Sequence, residues 1–313
     1  MRSGGRQSWM RRSGGTQLTA TCLRIGLMGL LTGCIGPHSD SAAATRESVS
    51  SALEHRNYRV ADRRIHYVAT GDGPSRVLFL HGSPGGWTSW KLFLSDARLR
   101  ARTQMLAVDR PGWGESGFGQ VVPGLAKQAE LLRPLISNTD QSTLLVAHSY
   151  GAAIAAQLAM TQSASIRGIV LIAPAISPDL PVERWYDHLA KLPVVRLLLS
   201  SQLALAYVEL EPLQDELAVL RTRWSSLTMP VTIIQGTDDW EVDPRTVDFA
   251  QKQLCATDLK TTIVNGEGHR VLWNRSDLVI DEVLDAIDRT RDAPSRGAAA
   301  IKSSIASCSG AMA

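Results

Sequence analysis

Short runs of consecutive apolar residues recur along the chain and alternate with longer segments whose apolar positions follow helical spacing. Six such runs are candidate strands, at residues 77–80, 105–108, 144–147, 169–172, 231–234 and 262–264. Candidate helices lie at residues 124–137, 151–162 and 277–291. Continuous apolar strands separated by helices are typical of a mostly parallel sheet covered on both faces. The pattern therefore predicts an α/β fold, with functional residues at the carboxyl ends of the strands.

Two segments depart from this alternation. Residues 58–70 alternate polar and apolar positions, which predicts an antiparallel hairpin at one edge of the sheet. Residues 176–228 contain many helix formers and no clear strand, so we expect a mostly helical insertion between two strands. With these segments included, the folded domain is expected to span residues 57–292.

Length and charge limit the classes of function that the chain can serve. Its 313 residues, 44% of them apolar, suffice for one α/β domain with a buried core. The net charge is +3, but residues 1–33 contain five arginines and no acidic residue. The rest of the chain therefore carries a net charge of −2 and offers no basic surface for a nucleic acid.

The amino-terminal segment has the pattern of an export signal. Arginines precede an apolar run at residues 25–31, which is too short to span a bilayer. The L-T-G-C sequence that follows resembles the lipobox of bacterial lipoprotein signal peptides. This resemblance implies removal of residues 1–33 and acylation of Cys34, which would anchor the protein to a membrane. Met1 and Met10 are both candidate starts, and an ordinary amino-terminal helix is the alternative interpretation.

The segments that flank the domain have the composition of flexible chain. Residues 35–56 are polar and predict a tether that holds the domain away from a membrane surface, whereas residues 293–313 are rich in small residues and predict a disordered tail. Ile35 stands where lipoproteins retained at the inner membrane carry an aspartate in enterobacteria-like sorting. We therefore expect a protein of the bacterial cell envelope, held at the outer membrane or the periplasmic face.

The sequence A-H-S-Y-G places Ser149 between an apolar run and an alanine-rich helix. A serine hydroxyl becomes a good nucleophile only when a base removes its proton. A sharp strand-to-helix turn exposes the hydroxyl near backbone N–H groups and requires small flanking residues, as in the G-x-S-x-G motif. Here Ala147 replaces the first glycine and Gly151 keeps the second. Ser149 is therefore a candidate nucleophile, and the alternative is a serine that only caps the helix.

Four further motifs follow candidate strands along the chain. They are H-G-S-P-G-G at 81–86, D-R-P-G-W-G-E-S-G at 109–117, G-T-D-D-W-E-V at 236–242 and G-H at 268–269. Together with A-H-S-Y-G, these motifs resemble the α/β-hydrolase superfamily over residues 58–291, and in particular its lidded, esterase-like serine hydrolases. The resemblance implies an α/β-hydrolase fold in which the insertion at 176–228 forms a lid.

The order of nucleophile, acid and histidine in that superfamily matches Ser149, Asp239 and His269. By this resemblance, the imidazole would take the proton from the serine, and the carboxylate would orient the imidazole. Asp238 lies one residue from the expected position of the acid, and some relatives place the acid after an earlier strand, which corresponds to Asp179. Both remain alternatives to Asp239.

The resemblance also implies an oxyanion hole made of backbone N–H groups. One donor is Tyr150, directly after the nucleophile, and the other is Ser83 in the H-G-S-P-G-G loop. Of the nearby histidines, we expect His81 to support its loop and His148 to pack away from the reacting atoms.

A serine at the turn separates the chain from epoxide hydrolases and haloalkane dehalogenases of this fold, which carry an aspartate there. We expect cleavage of a carboxylic ester of a small hydrophobic substrate through an acyl-enzyme. Apolar residues of the insertion are candidates to contact the acyl or aryl group: Leu180, Trp185, Leu192, Leu198 and Leu199.

Three alternatives to ester hydrolysis remain open. They are amide or peptide hydrolysis of the proline-iminopeptidase type, carbon–carbon bond hydrolysis, and a catalytically inactive envelope binding protein with the same fold. The sequence contains no metal-ligand spacing, phosphate loop or dinucleotide fingerprint, so we expect neither a metal nor a cofactor.

Overall fold

The computed structural model describes residues 53–137, 141–182, 199–254 and 257–292. The predicted signal peptide, Cys34, nearly all of the predicted tether and the predicted tail lie outside these ranges. So do three of the residues proposed to contact substrate, Trp185, Leu192 and Leu198. No helix in the described ranges combines the length and the apolar character that crossing a membrane requires.

The strands of the described chain form one sheet. They are β1 (Glu54–Val60), β2 (Arg63–Thr70), β3 (Ser75–Leu80), β4 (Thr103–Val108), β5 (Thr143–His148), β6 (Ile166–Ile172), β7 (Val231–Gly236) and β8 (Leu259–Val264). Their order across the sheet is β1-β2-β4-β3-β5-β6-β7-β8. Strand β2 is antiparallel to β1 and β4, and every other neighbouring pair is parallel. The predicted α/β fold with a mostly parallel sheet is confirmed.

Helices connect these strands. They are α1 (Lys91–Ser95), α2 (Ala97–Arg102), α3 (Leu125–Leu132), α4 (Pro134–Ser137), α5 (Tyr150–Thr161), α6 (Ser201–Leu210), α7 (Leu213–Leu220), α8 (Thr246–Gln253), α9 (Val271–Asn274) and α10 (Ser276–Asp292). The single helix predicted at 124–137 is divided into α3 and α4 before Pro134, because proline has no N–H to continue the helical hydrogen bonds.

The sheet separates two hydrophobic cores. On β3, Leu78 and Leu80 belong to one core and Val77 and Phe79 to the other. Successive side chains of a strand point to opposite faces, so a strand buried on both faces has a continuous apolar sequence. Helices α3 and α5 contribute to the first core, and α1 and α10 to the second. This double burial explains why the central strands were recognisable as uninterrupted apolar runs.

The amino-terminal boundary of the domain differs from the prediction. The predicted tether extends to residue 56, but β1 begins at Glu54, which pairs with Ala69 of β2. Most side chains of β1 are exposed, so the composition of this edge strand resembles that of a polar linker. Backbone pairing with β2, which composition does not reveal, places residues 54–56 in the sheet.

The insertion between β6 and β7 is described over residues 176–182 and 199–228, where it contains no strand. Its helices are α6 and α7, followed by a 3₁₀ helix at Arg221–Ser226. The apolar face of α7, formed by Leu213, Leu217 and Leu220, is buried in the first core. This part of the insertion therefore packs firmly on the domain.

Candidate active site

Ser149 lies in the turn between β5 and α5 and has a φ of 54° and a ψ of −124°. A positive φ is unfavourable for a residue with a side chain, so the surrounding structure must hold it. The Ser149 N–H donates to the carbonyl oxygen of Ile172 at 3.0 Å, and the Ala152 N–H donates to the Ser149 carbonyl oxygen at 2.9 Å. These bonds stabilise the sharp strand-to-helix turn that presents a serine hydroxyl.

The two small residues of A-H-S-Y-G, Ala147 and Gly151, have different surroundings in the structure. A Cβ atom at Gly151 would lie 2.6 Å from the carbonyl oxygens of Leu80 and His81, so α5 approaches β3 too closely for any side chain. Ala147 is fully buried in the first core, where its methyl group is accommodated. The alanine in place of the first glycine is therefore compatible with the turn.

His269 connects Ser149 to Asp239 through its two ring nitrogens. Nε2 lies 3.0 Å from Ser149 Oγ, and Nδ1 lies 2.9 Å from Asp239 Oδ2. An ionised carboxylate can only accept, so the Nδ1–H donates to Asp239 and leaves the Nε2 lone pair facing the hydroxyl. The three residues follow β5, β7 and β8, at the carboxyl edge of the parallel strands.

Asp239 is buried in a polar setting that favours its charged form. It accepts hydrogen bonds from the backbone N–H groups of Glu241 at 3.0 Å and Val242 at 2.9 Å, and from Gln235 Nε2 at 3.1 Å. Burial alone would raise the pKa of Asp239, but the hydrogen bond and charge of His269, with these donors, hold that pKa below its ordinary value. The carboxylate is therefore ionised and able to orient the imidazole.

The two alternative acids have other partners. Asp238 Oδ1 accepts a hydrogen bond from Thr237 Oγ1 at 2.8 Å. Asp179 pairs with Arg221, and its side chain is 65% exposed. The structure therefore brings Asp239, rather than Asp238 or Asp179, to His269.

The residues of the two predicted oxyanion donors both lie near Ser149. The N–H of Tyr150 is the first of helix α5, where backbone N–H groups have no partner within the helix. The loop that carries Ser83 passes close to the nucleophile, because a Cβ atom at Gly82 would lie 3.0 Å from Ser149 Cβ. Ser83 and Ser149 line the same cavity. Both residues predicted to supply the oxyanion donors are therefore close to the hydroxyl of Ser149.

His148 is closer to the candidate site than the sequence suggested. Its ring centroid lies 4.9 Å from that of His269, in a tilted arrangement, and 5.1 Å from that of Trp273, in an edge-on arrangement, and the residue lines the cavity beside Ser149. Its Nε2–H donates to the His269 carbonyl oxygen at 3.2 Å. Burial, with the nearby charge of His269, lowers the pKa of His148 to about 3, so the ring is neutral and supports His269 by packing.

His81 supports its loop, as expected from its position. Its Nδ1–H donates to the Gly82 carbonyl oxygen at 2.7 Å, and its Nε2 accepts from the Arg110 N–H at 3.0 Å. Burial and the charge of Arg110 lower the pKa of His81 well below its ordinary value, so this ring is also neutral.

A buried polar network next to the site was not foreseen from the sequence. Arg110, from the D-R-P-G-W-G-E-S-G motif, pairs with Glu209 of α6 and Gln128 of α3, and its guanidinium lies 4.8 Å from the Tyr150 ring centroid. Trp113 Nε1 donates to the same Glu209 carboxylate at 3.1 Å. Glu209, a charged residue within the mostly apolar helix α6, was the available sequence signal for this network. The identity of its partner depends on the tertiary fold.

A cavity of about 380 Å³ opens beside Ser149. Its lining comprises Gly82, Ser83, Pro84, His148, Ser149, Glu241, His269, Arg270 and Trp273. Leu180 and Leu199, the two described insertion residues that were proposed to contact substrate, are not part of this lining. A larger cavity of about 660 Å³ lies near the amino ends of β3 and β4, at the opposite edge of these parallel strands from the candidate triad.

Comparisons with known proteins identify similar sequences and folds. Over 112 residues the chain is 33% identical to the dihydrolipoyllysine-residue acetyltransferase component of the acetoin cleaving system of Cupriavidus necator, a match that covers 36% of this chain and 29% of the relative. Over 55 residues it is 44% identical to the 2-hydroxy-6-oxononadienedioate/2-hydroxy-6-oxononatrienedioate hydrolase of Burkholderia vietnamiensis, covering 17% and 19%. These matches span less than a third of either relative's length.

The crystal structure of a membrane phospholipase A, described as a bacterial virulence factor, is similar with a TM-score of 0.63 and 19% identity. The similarity covers 88% of this chain and 100% of that chain, and at this identity it establishes a shared fold. Residues 77–282 match the alpha/beta hydrolase family, a segment that runs from β3 into α10 and includes Ser149, Asp239 and His269. The chain therefore belongs to the alpha/beta hydrolase family.

Proposed function

We propose that the protein is a serine hydrolase that cleaves a carboxylic ester of a small hydrophobic substrate through an acyl-enzyme. One observation carries this proposal: His269 joins Asp239 Oδ2 at 2.9 Å to Ser149 Oγ at 3.0 Å. A nucleophile, a base and an orienting acid in hydrogen-bond contact are what covalent catalysis by serine requires. The positive φ of Ser149 supports the same role, because backbone strain of this kind is concentrated at functional turns.

In the proposed reaction, His269 Nε2 takes the hydroxyl proton as Ser149 Oγ attacks the ester carbonyl carbon. Asp239 stabilises the imidazolium, which then gives its proton to the leaving alcohol as the carbon–oxygen bond breaks. Ser149 now carries the acyl group. A water molecule, deprotonated by the same imidazole, attacks the acyl carbon, and its proton returns to Ser149 Oγ as the acid leaves.

The negative charge on the carbonyl oxygen during each attack would be stabilised by the backbone N–H groups of Tyr150 and Ser83. Loss of one oxyanion-hole donor typically lowers kcat by about 10²–10³. Because the proposed donor at Ser83 is its backbone, Ser83→Ala should retain most of the activity. A loss of about 10² or more in that variant would instead assign the role to its buried hydroxyl group.

The cavity supports a substrate with an apolar group next to the scissile bond. Pro84, His148 and Trp273 supply an apolar and aromatic wall, and Glu241 and Arg270 add polar groups to the lining. Esters are favoured among carbonyl substrates because one of the proteins with a similar fold is named a membrane phospholipase A, a name for enzymes that cleave lipid esters. The proposed reaction uses side chains and backbone N–H groups of this chain together with water.

Covalent labelling with a fluorophosphonate probe tests the proposed nucleophile. We expect labelling of the wild-type protein at Ser149, loss of labelling in Ser149→Ala, and strong reduction in His269→Ala. Asp238→Asn is the matched control and should be labelled like the wild type. Absence of labelling in folded wild-type protein, with and without detergent, would overturn the proposal and favour an inactive binding protein.

The type of bond that the protein cleaves is tested separately, by comparing substrates. Carbon–carbon bond hydrolysis is the second candidate, because a hydrolase of 2-hydroxy-6-oxononadienedioate is 44% identical over 55 residues. We expect aryl esters to be cleaved with a higher kcat/KM than matched anilides, amino-terminal proline amides or 2-hydroxy-6-oxo dienoates. A higher kcat/KM for the dienoates would replace the ester proposal, and a higher value for the amides would favour a peptidase.

We also propose that the protein is exported and lipid-anchored through Cys34 at the cell envelope, with the outer membrane favoured. The L-T-G-C sequence and the preceding apolar run support this proposal. Metabolic labelling with an alkyne-tagged palmitate, followed by membrane fractionation, provides the test. Cys34→Ala should not be labelled and should leave the membrane fraction. Cys22→Ala, which changes a cysteine within the predicted signal, should be labelled and stay in the membrane fraction. Equal labelling of the two variants would contradict acylation at Cys34.

A further inference from the structure

Three potential metal ligands that the proposed catalysis does not use converge at the antiparallel edge of the sheet. His55 of β1 and His66 of β2 lie on the same face, and Glu115 comes from the loop after β4. His55 Nδ1 lies 3.0 Å from His66 Nε2. Glu115 Oε1 lies 3.6 Å from His66 Nε2 and 3.8 Å from His55 Nδ1. The three donor atoms thus form a compact triangle.

The size of this triangle matches a small divalent cation. A point equidistant from the three donor atoms lies about 2.0 Å from each, which is the length of zinc bonds to histidine nitrogen and carboxylate oxygen. Two imidazoles and one carboxylate are also a donor set that zinc uses in proteins, with a fourth position left for water. Distance and chemistry therefore agree.

A hydrogen bond to Asp109 orients the ring of His66 toward the other two ligands. Asp109 Oδ2 lies 2.8 Å from His66 Nδ1, and the same carboxylate accepts the backbone N–H groups of Trp87 and Glu115. A carboxylate can only accept, so His66 Nδ1–H donates to Asp109, and Nε2 is the ring nitrogen that faces His55 and Glu115. A carboxylate that orients a histidine in this way is the usual outer support of a zinc ligand.

We propose that His55, His66 and Glu115 bind one Zn²⁺ ion, with a water molecule completing the coordination. His66 is almost fully buried and would be the fixed ligand, whereas the side chains of His55 and Glu115 are about half exposed and give the ion access from solvent. Glu115 Oε2 lies 3.7 Å from Arg64 Nη2, which leaves Oε1 for coordination.

The proposed ion would fasten the edge of the sheet to the loops around the candidate catalytic site. It would connect β1 and β2 to the loop of Glu115. Asp109, which supports His66, also holds the Trp87 N–H at 2.8 Å, four residues beyond Ser83. The ion is therefore assigned a stabilising role, independent of the proposed chemistry at Ser149.

A proton shared between the two histidines is the competing explanation, because His55 Nδ1–H could donate to His66 Nε2 at the observed 3.0 Å. The two explanations differ in the response to metal. Only the proposed site predicts an affinity for Zn²⁺ that depends on Glu115 as well as on the histidines.

The test uses full-length protein in detergent, purified without a histidine tag, stripped by a chelator and titrated calorimetrically with Zn²⁺. The chain contains four cysteines and seven histidines, and those outside the proposed site can also bind zinc. Binding at the proposed site is therefore measured as the difference in Zn²⁺ affinity between the wild type and the variants. The variants are His55→Gln and Glu115→Gln. Glu54→Gln, a neighbouring exposed carboxylate of β1 that is not in the triangle, is the matched control.

We expect wild-type protein and Glu54→Gln to bind Zn²⁺ with micromolar or tighter affinity, and the other two variants to lose at least tenfold. Zinc at 100-fold above the wild-type Kd should raise the Tm of the wild type by roughly 5–10 °C and that of either ligand variant by about half as much or less. Indistinguishable zinc affinities in all four proteins, or no binding by the wild type, would overturn the site. Circular dichroism verifies folding, and Ser149→Ala should bind zinc normally even if the proposed catalysis is wrong.

Discussion

Arg110 and Glu209 form an ion pair from which water is excluded. Nη1 and Nη2 of the guanidinium lie 2.6 and 2.9 Å from the two carboxylate oxygens, and both side chains are 0% exposed. The same guanidinium donates to the carbonyl oxygens of His81 and Gly82, each at 2.9 Å. One side chain therefore joins the loop that precedes Ser83 to helix α6 of the insertion.

Removing the charge of Glu209 should destabilise the whole domain. In Glu209→Gln the guanidinium of Arg110 stays buried without a counter-charge, which typically costs about 3–5 kcal/mol. We expect a decrease of this size in the free energy of unfolding, measured by urea denaturation at pH 7. Glu211→Gln, at an exposed position just after α6, is the control and should unfold like the wild type. Equal stability of the two variants would show that the pair contributes little.

Asp239 and Asp238 are adjacent, so substituting each in turn tests which carboxylate assists His269. Asp239→Asn places an amide opposite His269 Nδ1 and favours the wrong tautomer of the imidazole, so kcat should fall by about 10⁴. Asp238→Asn alters a carboxylate that contacts Thr237 and should change kcat only a few-fold. Steady-state hydrolysis of an aryl ester provides the measurement. The opposite ranking would assign the role to Asp238.

His148 should make the stability of the fold depend on pH. Its pKa is about 3 in the folded protein, because of burial and the charge of His269, and about 6.5 when unfolded. Between these values the unfolded state binds more protons, so stability falls as pH falls from 6.5 toward 3. Each proton bound only by the unfolded state lowers the free energy of unfolding by about 1.4 kcal/mol for every pH unit of acidification.

His148→Gln removes this titration. Comparing urea denaturation at pH 6 and pH 5, we expect the variant to lose about 1 kcal/mol less than the wild type over that interval. Ser149→Ala, which leaves both rings in place, should show the wild-type dependence. Identical pH dependence of the His148 variant and the wild type would mean that this histidine titrates equally in both states.

The two small residues of the turn should tolerate substitution differently. Gly151→Ala introduces a Cβ atom 2.6 Å from two backbone oxygens, so α5 must move away from β3. We expect a loss of about 1–3 kcal/mol of stability, as in other overpacked sites, together with reduced fluorophosphonate labelling. Ala147→Gly, which restores the usual glycine, removes one buried methyl group and should retain labelling. Wild-type labelling and stability of Gly151→Ala would contradict the close approach.

The sequence by itself determined the class of fold and the positions of the candidate reacting groups. Strands β3 to β7 are buried on both faces, so their apolar runs identify them without knowledge of their neighbours. The requirements of a strand-to-helix turn are local, so A-H-S-Y-G pointed to Ser149 as a candidate nucleophile. The first two signals arise from local sequence, whereas His269 was expected from the resemblance to the superfamily and its order of reacting residues.

Only the tertiary structure decided which distant residues meet. It brought Asp239 rather than Asp238 to His269, a choice that depends on the direction of one side chain in a short loop. It also paired Arg110 with Glu209, which are 99 residues apart, and placed Glu54 in a strand despite its linker-like surroundings. Such pairings depend on the packing of strands, helices and loops that are distant in the chain, and neither composition nor periodicity encodes that packing in a readable form.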